Sequence, residues 1–181
     1  MIRANPAGEH PKIEKSAYVD PMASIIGRVS IGKNVFVGPQ AVIRADEPGS
    51  SIIIKDNCNI QDRVVIHALT GTSVLVEANT SLSHGCIIHG PCKIGKNCFI
   101  GFGSVVFGAE LRMNVIVEHL AVVENIKVPP RRSIPSGAVI DSKEKLNELG
   151  FCPKVLKRFS SQVVKTNLIL VKGYNNVKLL L

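Results

Sequence analysis

The chain contains no tryptophan, and aromatic residues make up only 4% of its 181 positions. No stretch interleaves aromatic with basic residues, so the stacking platforms that grip single-stranded nucleic acid are missing. Long apolar runs are missing too: none approaches the ~18 residues that a membrane span requires. The opening Met1-Ile2-Arg3-Ala4-Asn5-Pro6 lacks the apolar core of a secretory signal. These absences point to a cytoplasmic protein with neither a membrane nor a nucleic acid as partner. Five cysteines, an odd number, argue against a disulfide framework in that reducing setting. Acidic residues are outnumbered, 14 against 22 Lys and Arg, for a net charge of +8. The excess gathers in the tail: residues 1–140 carry 14 basic and 11 acidic side chains, residues 141–181 carry 8 and 3. Basic charge is therefore a surface property of the tail and not a stripe across the body.

The dominant feature present is a six-residue repeat. Branched aliphatics recur at Ile13, Val19, Ile25, Ile31, Val37 and Ile43, then at Ile54, Ile60 and Ile66. A third train runs through Val76, Leu82, Ile88, Ile94, Ile100 and Val106, and after a five-residue step Leu111, Val117 and Val123 continue it. Gly often follows the aliphatic residue, and a slim residue such as Ala23, Val35, Ala41 or Val64 stands four positions after it. Period six fits neither an amphipathic helix nor an alternating strand. It fits a short strand and a tight turn forming one flat face of a three-sided coil, with the aliphatic residue pointing to the axis. This pattern, over about residues 13–128, resembles the hexapeptide-repeat family, and the resemblance implies an all-β solenoid: a left-handed parallel β-helix with three hexads per coil.

Cys58, Cys86, Cys92 and Cys98 all fall in the slim-residue slot, where a small buried hydrophobe is wanted. They read as core and not as a metal or redox centre. After Pro129-Pro130 the pattern is expected to end, with Ile134-Pro135-Ser136-Gly137 as an exit turn. Ser142 marks a helix start. A second helix is expected from about Ser160 into the 170s, with Val163, Val164, Asn167, Leu168 and Val171 on one side. Leu179-Leu180-Leu181 would extend that apolar covering or fray. The chain thus divides into a β-helix domain, 1–140, and a C-terminal helical segment, 141–181, packed along it.

The repeat also supplies a register. With Ile60 on a face called A and Ile66 on the next, B, the train puts Leu82 on A and Ile88 on B one coil further on. His67 and His89 then share one slot on adjacent coils of face B, ~4.8 Å apart, and Arg44 occupies that slot one coil earlier. His84 belongs to face A and cannot easily join them within one chain. A heterologous interface that closes as a threefold ring would bring it to the other two. Three neutral imidazoles and an open position make a catalytic zinc arrangement. His10 and His119 have no partners in the register and read as ordinary.

The segments Arg44-Ala45-Asp46-Glu47, Asn59-Ile60-Gln61-Asp62, Val65-Ile66-His67-Ala68 and Ser81-Leu82-Ser83-His84, followed by His89-Gly90-Pro91, resemble the γ-class carbonic anhydrases. The resemblance extends from the N-terminal segment to the last helix. It implies that His67, His84 and His89 bind Zn²⁺, with Fe²⁺ or Co²⁺ as alternatives, at the interface of a homotrimer. It also implies reversible hydration of CO₂ to bicarbonate, with a hydroxide on the metal as nucleophile. On the same basis Gln61 orients the nucleophile and Asn59 helps to position CO₂ or bicarbonate. Arg44 and Asp62 tie neighbouring subunits together, Asp46 joins their polar cluster, and Glu47 matches a proton-relay carboxylate. Two departures stand out. The loop Leu69-Thr70-Gly71-Thr72-Ser73 is short and lacks a carboxylate, which resembles a loop-less subclass whose hydration activity can be low or undetectable. In the last helix, Lys165 stands where the family can place an active-site Tyr, while Asn167 keeps its companion Asn.

Fold alone decides none of this. Other activities on the same scaffold are acyl transfer, thioester hydrolysis at the metal, and a non-catalytic assembly role. Acyltransferases of this kind usually carry a long loop with a catalytic His, which is absent, and an assembly subunit would have little need of all three histidines.

Overall fold

The structure is a computed structural model that describes residues 1–178. Residues 179–181, including the expected leucine extension, lie outside the described residues. Short strands wind into three parallel sheets, one of eight strands and two of seven. Face B holds Ser24–Gly27, Val42–Ala45, Val65–His67, Ile87–His89 and Val105–Phe107 in that order. Face A includes Phe36–Val37, Asn59–Ile60, Ser81–Leu82 and Phe99–Ile100, and the third face, C, includes Ser51–Ile54 and Ser73–Val76. The result is the left-handed parallel β-helix of about seven coils. Strands pair in register with the coil before and after, so Ile43, Ile66, Ile88 and Val106 stack along the axis, each 0% exposed.

The edges of the prism need backbone that turns with positive φ. Between faces C and A the turn residue is Asn34, Asn57, Asn79, Asn97 and Asn114, with φ of 54–60°. Asparagine tolerates this region better than other side chains with a Cβ. Neighbouring carboxamides also bond to each other, Asn34 Nδ2 to Asn57 Oδ1 at 3.1 Å and Asn57 Nδ2 to Asn79 Oδ1 at 3.2 Å. Gly after the inward aliphatic has a steric cause: a Cβ on Gly101 would stand 2.5 Å from the Glu118 carbonyl of the next coil.

The repeat does not stop at Pro129-Pro130. Lys127–Val128, Ser133–Ile134 and Val139–Ile140 complete another coil, with Ile134 and Ile140 inward at 0% and 4% exposure. The two prolines are harmless there because Val128 is in the last strand of face C, so no further coil asks for their missing N–H. At the other end Ile2–Arg3 pairs with the Ser24–Gly27 strand, so the solenoid also begins before Ile13.

Helix α1 spans Lys143–Asn147, with the Ser142 hydroxyl accepting from the Lys145 N–H. Helix α2 spans Lys154–Lys178, starting earlier than the apolar pattern suggests. It runs back along face A, pinned by Phe159 against Phe99 at 5.5 Å and by Tyr174 stacked on Tyr18 at 4.6 Å. Asn167 and Val171 are buried, whereas Val163, Val164 and Leu168 are half-buried. No described helix is long and apolar enough to cross a membrane.

All five cysteines are free and buried. Burial pushes the thiols of Cys58 and Cys98 up to about 12 and raises that of Cys86 as well. At pH 8 these groups hold almost no thiolate, the reactive form. Iodoacetamide at pH 8 should therefore leave the four cysteines of the repeat unlabelled in the native protein and label them after denaturation, as read by mass spectrometry. Trimming the axial stack at Ile66→Ala should cost about 2–5 kcal/mol, measured by denaturant unfolding.

Candidate metal centre

The ladder places Arg44, His67, His89 and Phe107 in one column on face B. His67 is only 7% exposed, and its Nδ1 faces His89 Nε2 at 3.0 Å with the rings near perpendicular. Two imidazole nitrogens bound tetrahedrally to Zn²⁺ at ~2.0–2.1 Å would stand about 3.3 Å apart, so this pair is close to the spacing a shared cation needs. His67 Nε2 lies 3.2 Å from Glu47 Oε1 and 3.8 Å from Asp46 Oδ1. His67 Nε2, His89 Nδ1 and Asp46 Oδ1 are nevertheless buried without a hydrogen-bond partner. Buried orphans of this kind call for a ligand or a small rotation. Imidazole pairs backed by carboxylates suit a borderline divalent cation, and His67 and His89 supply two donors of such a set.

Burial holds the His67 pKa below the usual histidine range, aided by the Arg44 guanidinium and His89 and opposed by Glu47 and Asp46. A neutral imidazole is the form that can ligate. Glu47 Oε2 accepts from both the Thr70 N–H and the Thr70 hydroxyl, each at 2.7 Å, and these bonds hold its carboxyl below the ordinary range. Arg44 Nη1 donates to Asp46 Oδ2 at 3.1 Å.

The remaining expected residues gather elsewhere, at the edge between faces A and B. His84 Nδ1 is 3.2 Å from Asp62 Oδ2, and the His84 N–H donates to Gln61 Oε1 at 3.3 Å. The His84 ring leans on Phe102, which stacks on His119 at 4.3 Å. A cavity of about 740 Å³ opens beside His84, Asp62 and Gln61 and is walled on one side by α2 through Asn167, Phe159 and Tyr174. Nearby on face A, Asn59 and Ser81 are register partners, 1% and 0% exposed. Both amide atoms of Asn59 and the hydroxyls of Ser81 and Ser83 are buried without a partner. Within one chain, then, His67 and His89 meet while His84 does not join them, and among the described residues no three His, Cys, Asp or Glu side chains converge on one point.

Lys165 lies apart from both clusters. It lines a groove of about 500 Å³ on the opposite flank of α2, against Asn79, Asn97 and Asn114. Asn167, two residues on, is turned 200° around the helix axis at 100° per residue, which is why one faces the cavity and the other does not. Three polar residues escaped the sequence reading. Thr70 sits in a loop without periodicity, and Ser81 and Ser83 gain meaning only once α2 is docked over face A.

Residues 10–45 and 73–108 match the bacterial transferase hexapeptide model of six repeats, and residues 28–68 match the hexapeptide repeat of succinyl-transferase. A carbonic anhydrase of Methanosarcina thermophila is 34% identical, the alignment covering 94% of this chain and 77% of that protein. The chain belongs to the γ-class carbonic anhydrase family. Within this hexapeptide-repeat family the carboxysome assembly protein CcmM of Nostoc is 40% identical over 90% of this chain, which spans only 31% of that protein's length. A putative acetyltransferase from Bacillus cereus superposes with a TM-score of 0.85 over 98% of both chains at 24% identity, a likeness of fold alone.

Because Lys165 points away from His84, Lys165→Ala should leave bound metal per chain unchanged and alter stability by no more than about 0.5 kcal/mol. Metal analysis and a melting curve on the purified variant check this. A lost metal site would return Lys165 to the active centre.

Proposed function

We propose that this protein catalyses the reversible hydration of CO₂ to bicarbonate at a divalent metal, Zn²⁺ with Fe²⁺ or Co²⁺ as alternatives, shared between subunits of a homotrimer. The observation that carries the reading is the approach of His67 Nδ1 to His89 Nε2 at 3.0 Å on adjacent coils, with His84 held separately at the next edge of the prism. His67 and His89 of one subunit and His84 of the next would hold the metal. When bound, such a cation supplies a Lewis acid that makes water a nucleophile at neutral pH.

The chain's own residues do the rest. Gln61 spends its carbonyl oxygen on the His84 N–H, which leaves its amide N–H groups free to orient the attacking water. The unpartnered Asn59 amide and the Asn167 side chain on the cavity wall supply polar contacts for CO₂ and bicarbonate. Arg44 and Asp62, each 43% exposed at the side chain, are free to pair across the interface, with Asp46 orienting Arg44. Assembly has a driving force on face B, where Val65, Ile87, Val105 and Val122 form an outward apolar column that α2 does not cover. A ring-closing contact would bury it.

The cavity favours a second reading. At about 740 Å³ with Phe36, Phe159, Leu170 and Tyr174 along it, it exceeds what CO₂ needs and would admit an acyl thioester for metal-assisted hydrolysis. Stopped-flow CO₂ hydration with anaerobically purified protein, and metal content from the same sample, separates the two. Hydration in proportion to bound metal is the expected result. A fully metallated trimer that hydrates no CO₂ but cleaves an acyl thioester would establish the second reading. His84→Ala should empty the metal site and weaken the trimer in sedimentation runs, and a metal-replete His84→Ala trimer would sink the shared geometry.

A further inference from the structure

A proton relay has to move between its donor and solvent, yet the Glu47 side chain is held at one oxygen and faces His67 with the other. Thr70 grips Oε2 with its N–H and its hydroxyl, both at 2.7 Å, and Oε1 stands 3.2 Å from His67 Nε2. Thr70 is itself fixed by a tight turn: the Thr72 hydroxyl donates to the Leu69 carbonyl at 2.8 Å, and the Gly71 N–H donates to the Pro48 carbonyl at 2.9 Å. This turn straps the short loop after His67 back onto the segment that carries Glu47.

The chemistry of the contact follows from the donors available. A carboxylate has only lone pairs to offer, so beside Nε2 it favours the tautomer with the proton on that nitrogen. The lone pair then sits on Nδ1, the nitrogen that faces His89 at 3.0 Å. Metal-ligating histidines need this arrangement, with the far N–H given to a carboxylate and the near nitrogen left bare. Asp46 Oδ1, 3.8 Å from the same Nε2, reinforces the preference, but Asp46 is tied to Arg44, whereas Glu47 is tied to the loop.

We propose that Glu47 is a positioning residue: Thr70 pins its carboxylate so that it sets the tautomer and orientation of His67 for the metal, and the short loop serves as the strap of this clamp. The inference rests on the metal site of the proposed function and is independent of CO₂ being the substrate.

The test uses the full-length chain stripped of metal. Zn²⁺ affinity is measured by competition with a chromophoric chelator for the wild type, Glu47→Gln, Thr70→Val and Thr70→Ser, and long-range ¹H–¹⁵N spectra read the His67 tautomer before metal is added. In Glu47→Gln the Thr70 N–H claims the amide oxygen, which turns an NH₂ group toward His67 and favours the wrong tautomer. Zn²⁺ binding should weaken about 10–100-fold, with His67 shifting toward Nδ1–H. Thr70→Val, which leaves the carboxylate in place but held by the backbone N–H alone, should weaken binding in the same direction and by less, and Thr70→Ser should restore it. Unchanged Zn²⁺ affinity in both Glu47→Gln and Thr70→Val would overturn the clamp. So would hydration by Glu47→Gln that is lost in dilute buffer and recovered with a concentrated proton-carrying buffer, the mark of a relay. If the wild type binds Zn²⁺ without hydrating CO₂, the functional reading falls while the affinity series still decides the clamp.

Discussion

Ile43, Ile66, Ile88 and Val106 stand directly over one another at the prism axis, each sealed from solvent. Three such stacks, one per face, fill the interior, and the backbone ladders hold them at the spacing of paired strands. A slip of one residue would turn a whole face inside out, so the inward aliphatic residue of each hexad fixes the register of its outward neighbours. Extra residues can be absorbed only at the edges. The loop after His67 is such an insertion, and the strands on either side of it, Val65–His67 and Ser73–Val76, keep their pairing with the next coil.

The candidate site is a direct result of that register. The residue after the inward aliphatic on face B projects outward, and successive coils bring these residues together in one column. Arg44, His67 and His89 therefore meet although 22 or more positions separate each from the next. The same rule keeps His84 away from them, since a residue at the A–B edge cannot cross to the middle of face B without unwinding a coil. The separation of His84 from His67 and His89 is thus a property of the scaffold. Face A, covered by α2, becomes the cavity wall, while face B keeps an apolar column for a neighbour.

Much of this was legible in the sequence because period six converts sequence separation into spatial position. The pairing of His67 with His89, the placement of Arg44 beside them and the exclusion of His84 all follow from counting, as does the burial of Cys58, Cys86, Cys92 and Cys98. Counting failed where a local signal stood against the period. Pro129-Pro130 read as a terminus because a proline breaks a ladder, but at the last strand of face C there is no ladder beyond it to break. The start of α2 was hidden because Lys154–Phe159 lies before its strongest apolar stripe. Lys165 falls where the resembled family can place an active-site Tyr, yet it lines the flank of α2 away from His84, and Asn167 two positions on faces the other way. The grip of Thr70 on Glu47 was illegible for another reason: it depends on side-chain geometry within a five-residue loop that carries no repeat.

A site divided in the proposed way would couple metal binding to subunit assembly. The proposed set of imidazoles is complete only in the assembled trimer, so metal binding and assembly would share one free energy, as metal binding and folding do in small metal-stabilised domains. Anything that binds the assembled state and not the separated chains stabilises assembly by mass action, so the cation would hold the subunits together as much as the subunits hold the cation. The rigidity of the solenoid makes this coupling tight. His67 and His89 ride on strands paired on both sides and cannot spread to accept a third ligand from their own chain. What remains adjustable in the proposed site is the orientation of the His67 ring, beside Glu47 and the strap at Thr70, and the arrival of a neighbour's edge. Selectivity for the metal would then be set by how closely subunits dock, which gives the apolar column on face B and the ion pairs around Arg44 and Asp62 a chemical consequence as well as a structural one.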